Sequence, residues 1–187
     1  ARERYGEQGE MLFTHFAVSG PLVLSASAHM RGFPAKKYRL SIDLKPALDA
    51  ARLDERVLRD FSKNKNREFR NALSELAPKA LIPVLIERSG IPPETRVNSV
   101  TREQRLALVA LMKDFSIRIS GTRPVAEAIV TAGGISTREV DPRTMQSRLV
   151  PGLYFAGEVL DLDAYTGGFN LQIAWSTAYV AANSLRS

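Results

Sequence analysis

The chain of 187 residues contains no cysteine and two histidines, His15 and His29. Without cysteine there can be no disulfide, no thiolate nucleophile and no Cys-ligated metal. A zinc site or a Ser-His-Asp hydrolase would depend on one of these histidines, and neither lies in an HExxH motif. The sequence therefore predicts no metal site and disfavours hydrolytic chemistry.

Long apolar runs and a GxGxxG turn are also missing from the sequence. No uninterrupted apolar segment reaches the ~18 residues of a membrane-spanning helix, and the first residues lack the apolar stretch of a signal peptide. We therefore expect a soluble, cytoplasmic protein. Because no GxGxxG occurs, these residues contain no recognisable turn for the pyrophosphate of a dinucleotide.

Acidic residues are outnumbered by basic ones. The 26 Lys and Arg against 20 Asp and Glu give a formal net charge of +6. Basic residues concentrate in residues 56–70, but Asp60 and Glu68 are interspersed among them. This mixture favours a solvated helical face over contact with nucleic acid. The alternative is a non-catalytic binding module whose basic helical block contacts nucleic acid or a protein partner, since short basic helices can imitate a helix-turn-helix.

The spacing of apolar residues changes twice along the chain. Residues 38–44 and 115–121 alternate between polar and apolar, which predicts half-buried strands. Between them, Leu53, Val57 and Phe61 fall at i, i+4 and i+8, which predicts an amphipathic helix. An α+β fold follows, with a β-rich domain and an inserted small helical domain. The predicted boundaries are 1–46 and 115–132 for the β-rich domain, 47–114 for the helical insert and 133–187 for a C-terminal part.

Local signals define further elements of the predicted fold. Thr101-Arg102-Glu103-Gln104 has the pattern of a capping box, and Gly90 is placed to end a preceding helix. The other predicted elements are an extended segment at 11–16, a helix that starts at Ser19-Gly20-Pro21, a helix over 81–88, a buried strand over 153–156 and a final helix over 170–185.

Two C-terminal motifs carry the chemistry of this sequence. The run Leu153-Tyr154-Phe155-Ala156 leads into Gly157-Glu158, and Gly167-Gly168 precedes the final helix at Asn170. A glycine lets a ligand approach the backbone, and a carboxylate at a strand end can accept hydrogen bonds from hydroxyls. The free N–H groups of a helix N-terminus stabilise a partly anionic oxygen. Together these features indicate a pocket for a polyol attached to an electron-poor ring.

Several long runs resemble one family in the same order along the chain. They are GEMLFTHFAVSGP at 9–21, the segment 131–149, PGLYFAGEVLD at 151–161 and TGGFNLQIAWSTA at 166–178. These runs are similar to bacterial flavoproteins described as aminoacetone-oxidase-family or NAD(P)/FAD-dependent oxidoreductases. That family resembles glutathione reductase in its FAD domain and includes a bile-acid enone reductase.

The resemblance implies FAD as cofactor and residues 133–187 as the C-terminal strand and helix of a Rossmann-like FAD-binding domain. It places Glu158 near the ribityl hydroxyls and the helix that starts at Asn170 under the flavin's pyrimidine edge. The cofactor-binding residues that it implies are Gly133, Gly134, Gly157, Glu158, Gly167, Gly168, Phe169, Asn170 and Leu171.

The family begins with a strand, a GxGxxG turn and a helix that hold the ADP pyrophosphate, and this sequence contains no GxGxxG anywhere. The resemblance therefore implies either a C-terminal fragment of a longer enzyme or an upstream half that is a separate chain. In both cases the partner is the N-terminal half of the FAD-binding domain, and we expect this chain alone to be inactive and not to retain FAD. Substrate, catalytic residues and reductant stay open, although NAD(P)H is compatible with the class. His15 and, more weakly, Tyr165 are candidates for protonating a substrate.

Overall fold

The computed structural model describes residues 5–33 and 37–185 and divides the chain into two compact units. One unit comprises Ala1–Lys36 with Ser120–Ser187, and the other is the continuous segment Lys37–Ile119. We call them the split unit and the helical unit. The structure is mixed α/β, as the sequence predicts, with six α-helices and two small sheets in its described residues. None of the described helices is long and apolar enough to cross a membrane.

The first and last elements of the helical unit are two strands that pair in an antiparallel sheet. Strands β3 (Tyr38–Ile42) and β4 (Phe115–Ile119) pair over their whole length, with Tyr38 opposite Ile119 and Ile42 opposite Phe115. Exposure alternates along β3, so the predicted period-two pattern of this strand is confirmed. Both strands therefore belong to the same compact unit as the helices between them.

Helix α2 (Ala50–Lys63) begins at Asp49, whose Oδ1 accepts a hydrogen bond from the Arg52 backbone N–H at 2.8 Å. Its predicted apolar stripe is confirmed, because Leu53, Val57 and Phe61 are all buried. Each fully buried large apolar side chain of this kind contributes about 2 kcal/mol. The stripe thus ties α2 to the core of the helical unit.

The remaining helices of this unit are α3 (Phe69–Ala72), α4 (Ile82–Ser89) and α5 (Arg102–Lys113). Gly90 ends α4 in the left-handed conformation, with φ of 67°. Thr101 and Gln104 form both hydrogen bonds of a capping box at the start of α5. The common core consists of Leu53, Val57, Phe61, Phe69, Ala72, Leu73, Leu76, Leu85, Ile91, Val97, Leu108, Val109, Met112 and Phe115.

The split unit has less regular structure. Strands β1 (Leu12–Phe13) and β2 (Val18–Ser19) form a short antiparallel hairpin, and helix α1 spans Pro21–Ser27. Residues 120–168 contain short 3₁₀ turns and isolated bridges, and helix α6 spans Phe169–Ser184. A small core of Val140, Met145, Leu160 and Ala181 joins these C-terminal segments.

The extended pieces of this unit are shorter than the sequence predicts. The segment 11–16 is a strand only at Leu12–Phe13, and the predicted buried strand over 153–156 contributes one bridge residue, Tyr154, opposite Gln146. Leu153 is exposed. A strand needs a neighbouring strand to pair with along its length, and the described residues provide this segment with a single bridge. The predicted division of the chain at 46, 115 and 132 stays a prediction.

Candidate functional site

Gly134 brings two of the predicted glycine motifs together. Ile135 forms a parallel bridge with Leu160, in which the Ile135 N–H donates to the Val159 carbonyl at 2.8 Å. Gly134 has a φ of 143°, and a Cβ at this position would lie 2.4 Å from the Val159 carbonyl oxygen. A side chain therefore cannot be placed here without displacing backbone. The Gly133-Gly134 segment and the segment that carries Glu158 are adjacent because residue 134 is glycine.

Gly157 joins the second motif to helix α6. Its backbone N–H donates to the Thr177 Oγ1 at 2.9 Å, and a Cβ on Gly157 would lie 3.6 Å from the Ala174 Cβ. The 3₁₀ turn Gly157–Val159 thereby packs on α6 and presents Glu158 at the surface. The Glu158 carboxylate has no hydrogen bond or ion pair within the part of the chain that the structure describes, so its oxygens are available to hydroxyl donors.

Helix α6 starts without a side-chain cap. Its N-cap, Gly168, has a φ of 89°, and Gly167 before it has a φ of 123°, both of which favour glycine. No side chain caps the first turn and no acidic residue lies in it. The backbone N–H groups of that turn and the positive end of the helix dipole are therefore open to an anionic oxygen.

The Asn170 side chain stabilises the loop before α6. Its Oδ1 accepts from the Ala164 N–H at 2.8 Å and its Nδ2 donates to the Ala164 carbonyl at 2.9 Å. This paired contact holds Tyr165 next to the helix start, while Phe169 and Leu171 are exposed. Because both groups of the Asn170 amide are occupied, its backbone N–H is the group left for a ligand.

A cavity of about 850 Å³ lies in the split unit at this point. Its size suits a cofactor or a substrate of the size of a nucleotide. The nine lining residues come from the end of α1 and the segment after it, the loop before α6 and the first turns of α6. They are Ala28, His29, Arg31, Asp163, Ala164, Tyr165, Phe169, Gln172 and Ile173.

His29 and Tyr165 form a pair in this cavity. The His29 Nε2 lies 2.9 Å from the Tyr165 hydroxyl, and the Tyr5 ring stacks on the imidazole with ring centroids 5.0 Å apart. The Tyr5 hydroxyl donates in turn to Glu7, and this hydrogen bond raises the pKa of Tyr5 above 10.0. An imidazole and a phenol in contact can hold a proton at a defined position on the cavity wall.

The two proton-donor candidates from the sequence fall in different places. Tyr165 lines the cavity, whereas His15 is exposed on the hairpin between β1 and β2 and packs edge-on against Phe16, with ring centroids 4.4 Å apart. His29 is the histidine that the fold brings to the cavity. No sequence signal identifies it, because its partner is 136 positions away.

The glycine-bounded motifs, the uncapped start of α6 and the cavity all belong to the split unit. Sequence comparison gives the family. Residues 1–130 match the HI0933-like protein barrel and H2TH domain, and residues 105–184 match the HI0933-like protein Rossmann domain. The chain therefore belongs to the HI0933-like family of flavoproteins. This confirms the predicted flavoprotein class and the Rossmann-like assignment, while the likeness to aminoacetone oxidases stays a prediction.

Curated relatives match along almost the whole chain. The ribosomal RNA dihydrouridine synthase of Escherichia coli (strain K12) is 37% identical over 175 residues, which are 94% of this chain and 42% of that protein. The enzyme of the same name from Haemophilus influenzae is 34% identical over 176 residues, which are 94% of this chain and 42% of that protein. The 3-dehydro-bile acid delta(4,6)-reductase of Clostridium scindens is 33% identical over 180 residues, which are 95% of this chain and 44% of that protein. The chain thus spans less than half the length of these relatives.

Proposed function

We propose that this chain supplies the flavin-side and substrate-side residues of an FAD-dependent reductase that saturates a conjugated carbon–carbon double bond. The observation that carries the proposal is the cavity in which the His29–Tyr165 pair adjoins the uncapped start of α6. Such a site combines a place for a ring cofactor with a proton source. The family and the names of the relatives support the same class of reaction.

The residues fit FAD in three respects. The Glu158 carboxylate is exposed and would accept hydrogen bonds from ribityl hydroxyls. The first turn of α6 has free N–H groups that would stabilise negative charge on the ring. Gly168 leaves the start of α6 without a side chain at a position where a Cβ would meet open space. When bound and reduced by NAD(P)H, the FAD cofactor would supply the hydride for one carbon of the double bond.

The second carbon of the double bond needs a proton, which we assign to Tyr165. Its hydroxyl faces the cavity and contacts His29 Nε2, so the imidazole can replace the proton that the phenol gives up. Hydride to one carbon and a proton to the other give the saturated product, and solvent restores the proton on His29. Phe169, 59% exposed beside the same cavity, offers a face for stacking a planar substrate or ring.

We propose uridine in ribosomal RNA as the substrate. Dihydrouridine differs from uridine by two hydrogens across one ring double bond that is conjugated to a carbonyl, and two relatives are named for that product in ribosomal RNA. This proposal departs from the sequence expectation, which favours a solvated helical face over contact with nucleic acid, because two relatives are named for ribosomal RNA. A small conjugated ketone, by analogy with the bile acid reductase, is the second candidate.

The test uses the full-length protein with FAD and either NADH or NADPH. It is incubated with transcribed ribosomal RNA, and nucleosides are then analysed by mass spectrometry for a uridine that has gained two hydrogens. A conjugated steroid ketone is tested in parallel under the same conditions. Formation of dihydrouridine supports the substrate assignment, whereas reduction of the steroid alone overturns it. Failure of both reactions with flavin bound would reject the reductase proposal itself.

We further propose that helix α6 is covered by the rest of the FAD-binding domain. Leu171, Trp175 and Tyr179 recur every four residues along α6 and are 57%, 67% and 72% exposed. A contiguous apolar stripe of this kind usually marks an interface. The sheet of the FAD-binding domain is its proposed occupant, since the relatives are more than twice as long as the part that matches.

A matched pair of preparations tests this partner. The 187-residue chain is purified alone and after co-expression with the N-terminal half, and flavin absorbance is measured per protein. We expect flavin only in the second preparation, together with protection of Trp175 from fluorescence quenching by iodide. A stoichiometric flavin spectrum from the isolated chain would contradict the expectation.

A further inference from the structure

The excess of positive over negative charge in this protein is confined to one of its two units. Residues 37–119 contain 17 Lys and Arg against 11 Asp and Glu, whereas the remaining residues contain 9 of each. The helical unit therefore carries the whole net charge of +6, and the split unit with the His29–Tyr165 cavity is formally neutral. An electrostatic attraction to a polyanion would act on the helical unit.

The helical unit contains a cavity of about 490 Å³ with a basic lining. Arg67, Arg70 and Lys79 contribute three cationic groups, all on exposed residues. Asn71 and Ser74 add an amide and a hydroxyl, and Ile82 provides the apolar part of the wall. Guanidinium and ammonium groups beside short polar side chains are the usual ligands of phosphate oxygens.

The fold holds this lining in a fixed position. Phe69, Ala72, Leu73 and Leu76 are buried, so the side chains of Arg70, Asn71 and Ser74 between them face outward. Two backbone hydrogen bonds fasten the start of α3 to a neighbouring segment, from the Phe69 N–H to the Thr95 carbonyl at 2.7 Å and from the Arg70 N–H to the Pro93 carbonyl at 3.1 Å. The Val97 N–H donates to the Arg67 carbonyl at 3.1 Å on the same side.

Two of the three cations are free of counter-ions. Within the described residues, Arg67 and Lys79 form no ion pair, whereas Arg70 pairs with Glu68 at 2.6 Å. Elsewhere in the helical unit, several cations are neutralised by nearby carboxylates. These pairs are Arg39–Asp114, Arg56–Asp60, Arg105–Asp54 and Lys113–Asp43. The cavity thus concentrates positive charge that the fold itself does not compensate.

We propose that this cavity binds the sugar-phosphate backbone of RNA, with Arg67 and Lys79 contacting phosphate oxygens and Ile82 contacting the sugar. The inference rests on the proposed function, because it assigns a second anchoring surface to the same RNA substrate. The contacts position the RNA and do not read its sequence, since they involve charge and hydroxyl groups rather than base edges. RNA affinity therefore depends on a surface that is separate in sequence from the reducing site.

The test measures RNA affinity of the full-length protein without turnover. Fluorescence anisotropy with a labelled ribosomal RNA hairpin is recorded over a series of salt concentrations for the parent and for R67A/K79A. We expect the double variant to lose at least about tenfold in affinity, and the slope of log affinity against log salt to fall by about two, one for each phosphate contact. A second variant, R67Q/K79Q, removes the same two charges but retains polar side chains. A loss of affinity in both variants could therefore not be attributed to a folding defect of the alanine variant alone.

The matched control is R102A/R118A. It removes the same charge from exposed residues of the same unit that do not line the cavity. We expect the control to change affinity far less than R67A/K79A. Equal losses in the two double variants would overturn the cavity assignment in favour of diffuse attraction, and a parent protein that does not bind the hairpin would also overturn it.

Competition distinguishes RNA from a free nucleotide. If NADPH displaced the hairpin from the parent and lost its own affinity in R67A/K79A, the cavity would be a site for a nucleotide cofactor and the RNA proposal would fail. The result is separable from the reductase test. Dihydrouridine formation with unchanged RNA affinity in R67A/K79A would reject this inference alone, whereas RNA binding without reduction of uridine would reject the proposed function alone.

Discussion

The His29 Nε2 and the Tyr165 hydroxyl lie 2.9 Å apart on one wall of the same cavity. The two residues are separated by 136 positions and belong to the split unit, where the segment after α1 meets the loop before α6. Tyr5 stacks on the imidazole with an angle of 23° between the ring planes, and its ring also meets the Tyr165 ring edge-on, with centroids 6.3 Å apart. The imidazole is therefore one member of a cluster of three rings in mutual contact, and His29 and Tyr165 of this cluster line the cavity.

We expect Y165F to lower the turnover of the full-length enzyme by about 100-fold or more, because a positioned proton donor contributes on this scale. H29A should produce a similar loss, and the double variant should lose little more than either single change, since the two residues act as one unit. Turnover and flavin reduction by NAD(P)H are measured separately, and only turnover should fall. H15A is the control and should retain its turnover. A loss of turnover in H15A would implicate His15 in proton transfer and contradict the assignment to His29 and Tyr165.

Replacing Gly134 by alanine should destabilise the split unit by about 2 kcal/mol or more, since the new Cβ would lie 2.4 Å from the Val159 carbonyl oxygen and φ is 143°. Thermal unfolding of the full-length protein measures the change, and flavin content reports on the adjacent site. Gly133 is the matched control, because its φ is also positive, at 103°, but a Cβ there meets open space. Equal losses of stability for G133A and G134A would show that the loss comes from backbone strain at positive φ and not from the contact of residue 134 with the Val159 carbonyl oxygen.

The Arg105–Asp54 ion pair should stabilise the helical unit by about 2 kcal/mol. It joins α5 to α2 through two hydrogen bonds, at 2.6 and 3.2 Å, and its side chains are only 14% and 21% exposed. Removing one partner leaves a poorly solvated charge, which costs more than the loss of a surface pair.

Urea unfolding of R105A, D54A and the double variant measures the coupling in a double-mutant cycle. R52A is the control, because Arg52 and Asp49 are 3.8 Å apart and 73% and 66% exposed. We expect that variant to change stability by less than about 0.5 kcal/mol from the loss of the ion pair. A coupling energy near zero for Arg105 and Asp54 would reject the prediction.

We expect the helical unit to lose stability in acid when the Asp114 carboxylate becomes protonated. The Ser41 hydroxyl donates to its carboxylate at 2.5 Å and Arg39 lies 3.1 Å away, so the pKa of Asp114 is below its ordinary value of 3.8. A folded-state pKa below the unfolded value adds stability that is present above the unfolded pKa and is lost as pH falls through the folded pKa.

S41A should raise the Asp114 pKa toward its ordinary value, because the first of its two stabilising contacts is removed. NMR titration of the Asp114 carboxyl carbon measures this shift directly. The stability difference between S41A and the parent should shrink as the pH falls below the folded-state pKa, since both proteins are then protonated at this site. An unchanged Asp114 titration in S41A would contradict the assigned cause.

The elements best predicted from sequence are those whose signals are local. Thr101 caps helix α5 and Gly90 ends α4, so each of these boundaries is fixed within a few residues of the chain. The period-two pattern of 38–44 likewise identifies β3. Each of these features depends on neighbouring residues, and the structure confirms it.

The candidate site was predictable only in part. Gly134 and Gly157 appear in recognisable motifs, but their close backbone contacts with Val159 and α6 require the folded chain. His29 could not be selected over His15, because pairing across 136 positions leaves no pattern in the sequence. The apolar composition of segment 153–156 predicts a strand, but it does not specify a pairing partner.

The pairing of Tyr38 with Ile119 has a practical consequence for handling the helical unit. Its first and last strands are antiparallel partners, so the chain enters and leaves this unit at neighbouring points. Closely spaced ends are the geometry in which a segment can be excised, transplanted into another loop or circularly permuted. The helical unit could accordingly be exchanged between relatives by joining the chains at β3 and β4. A short turn would close the gap that is left in the donor protein.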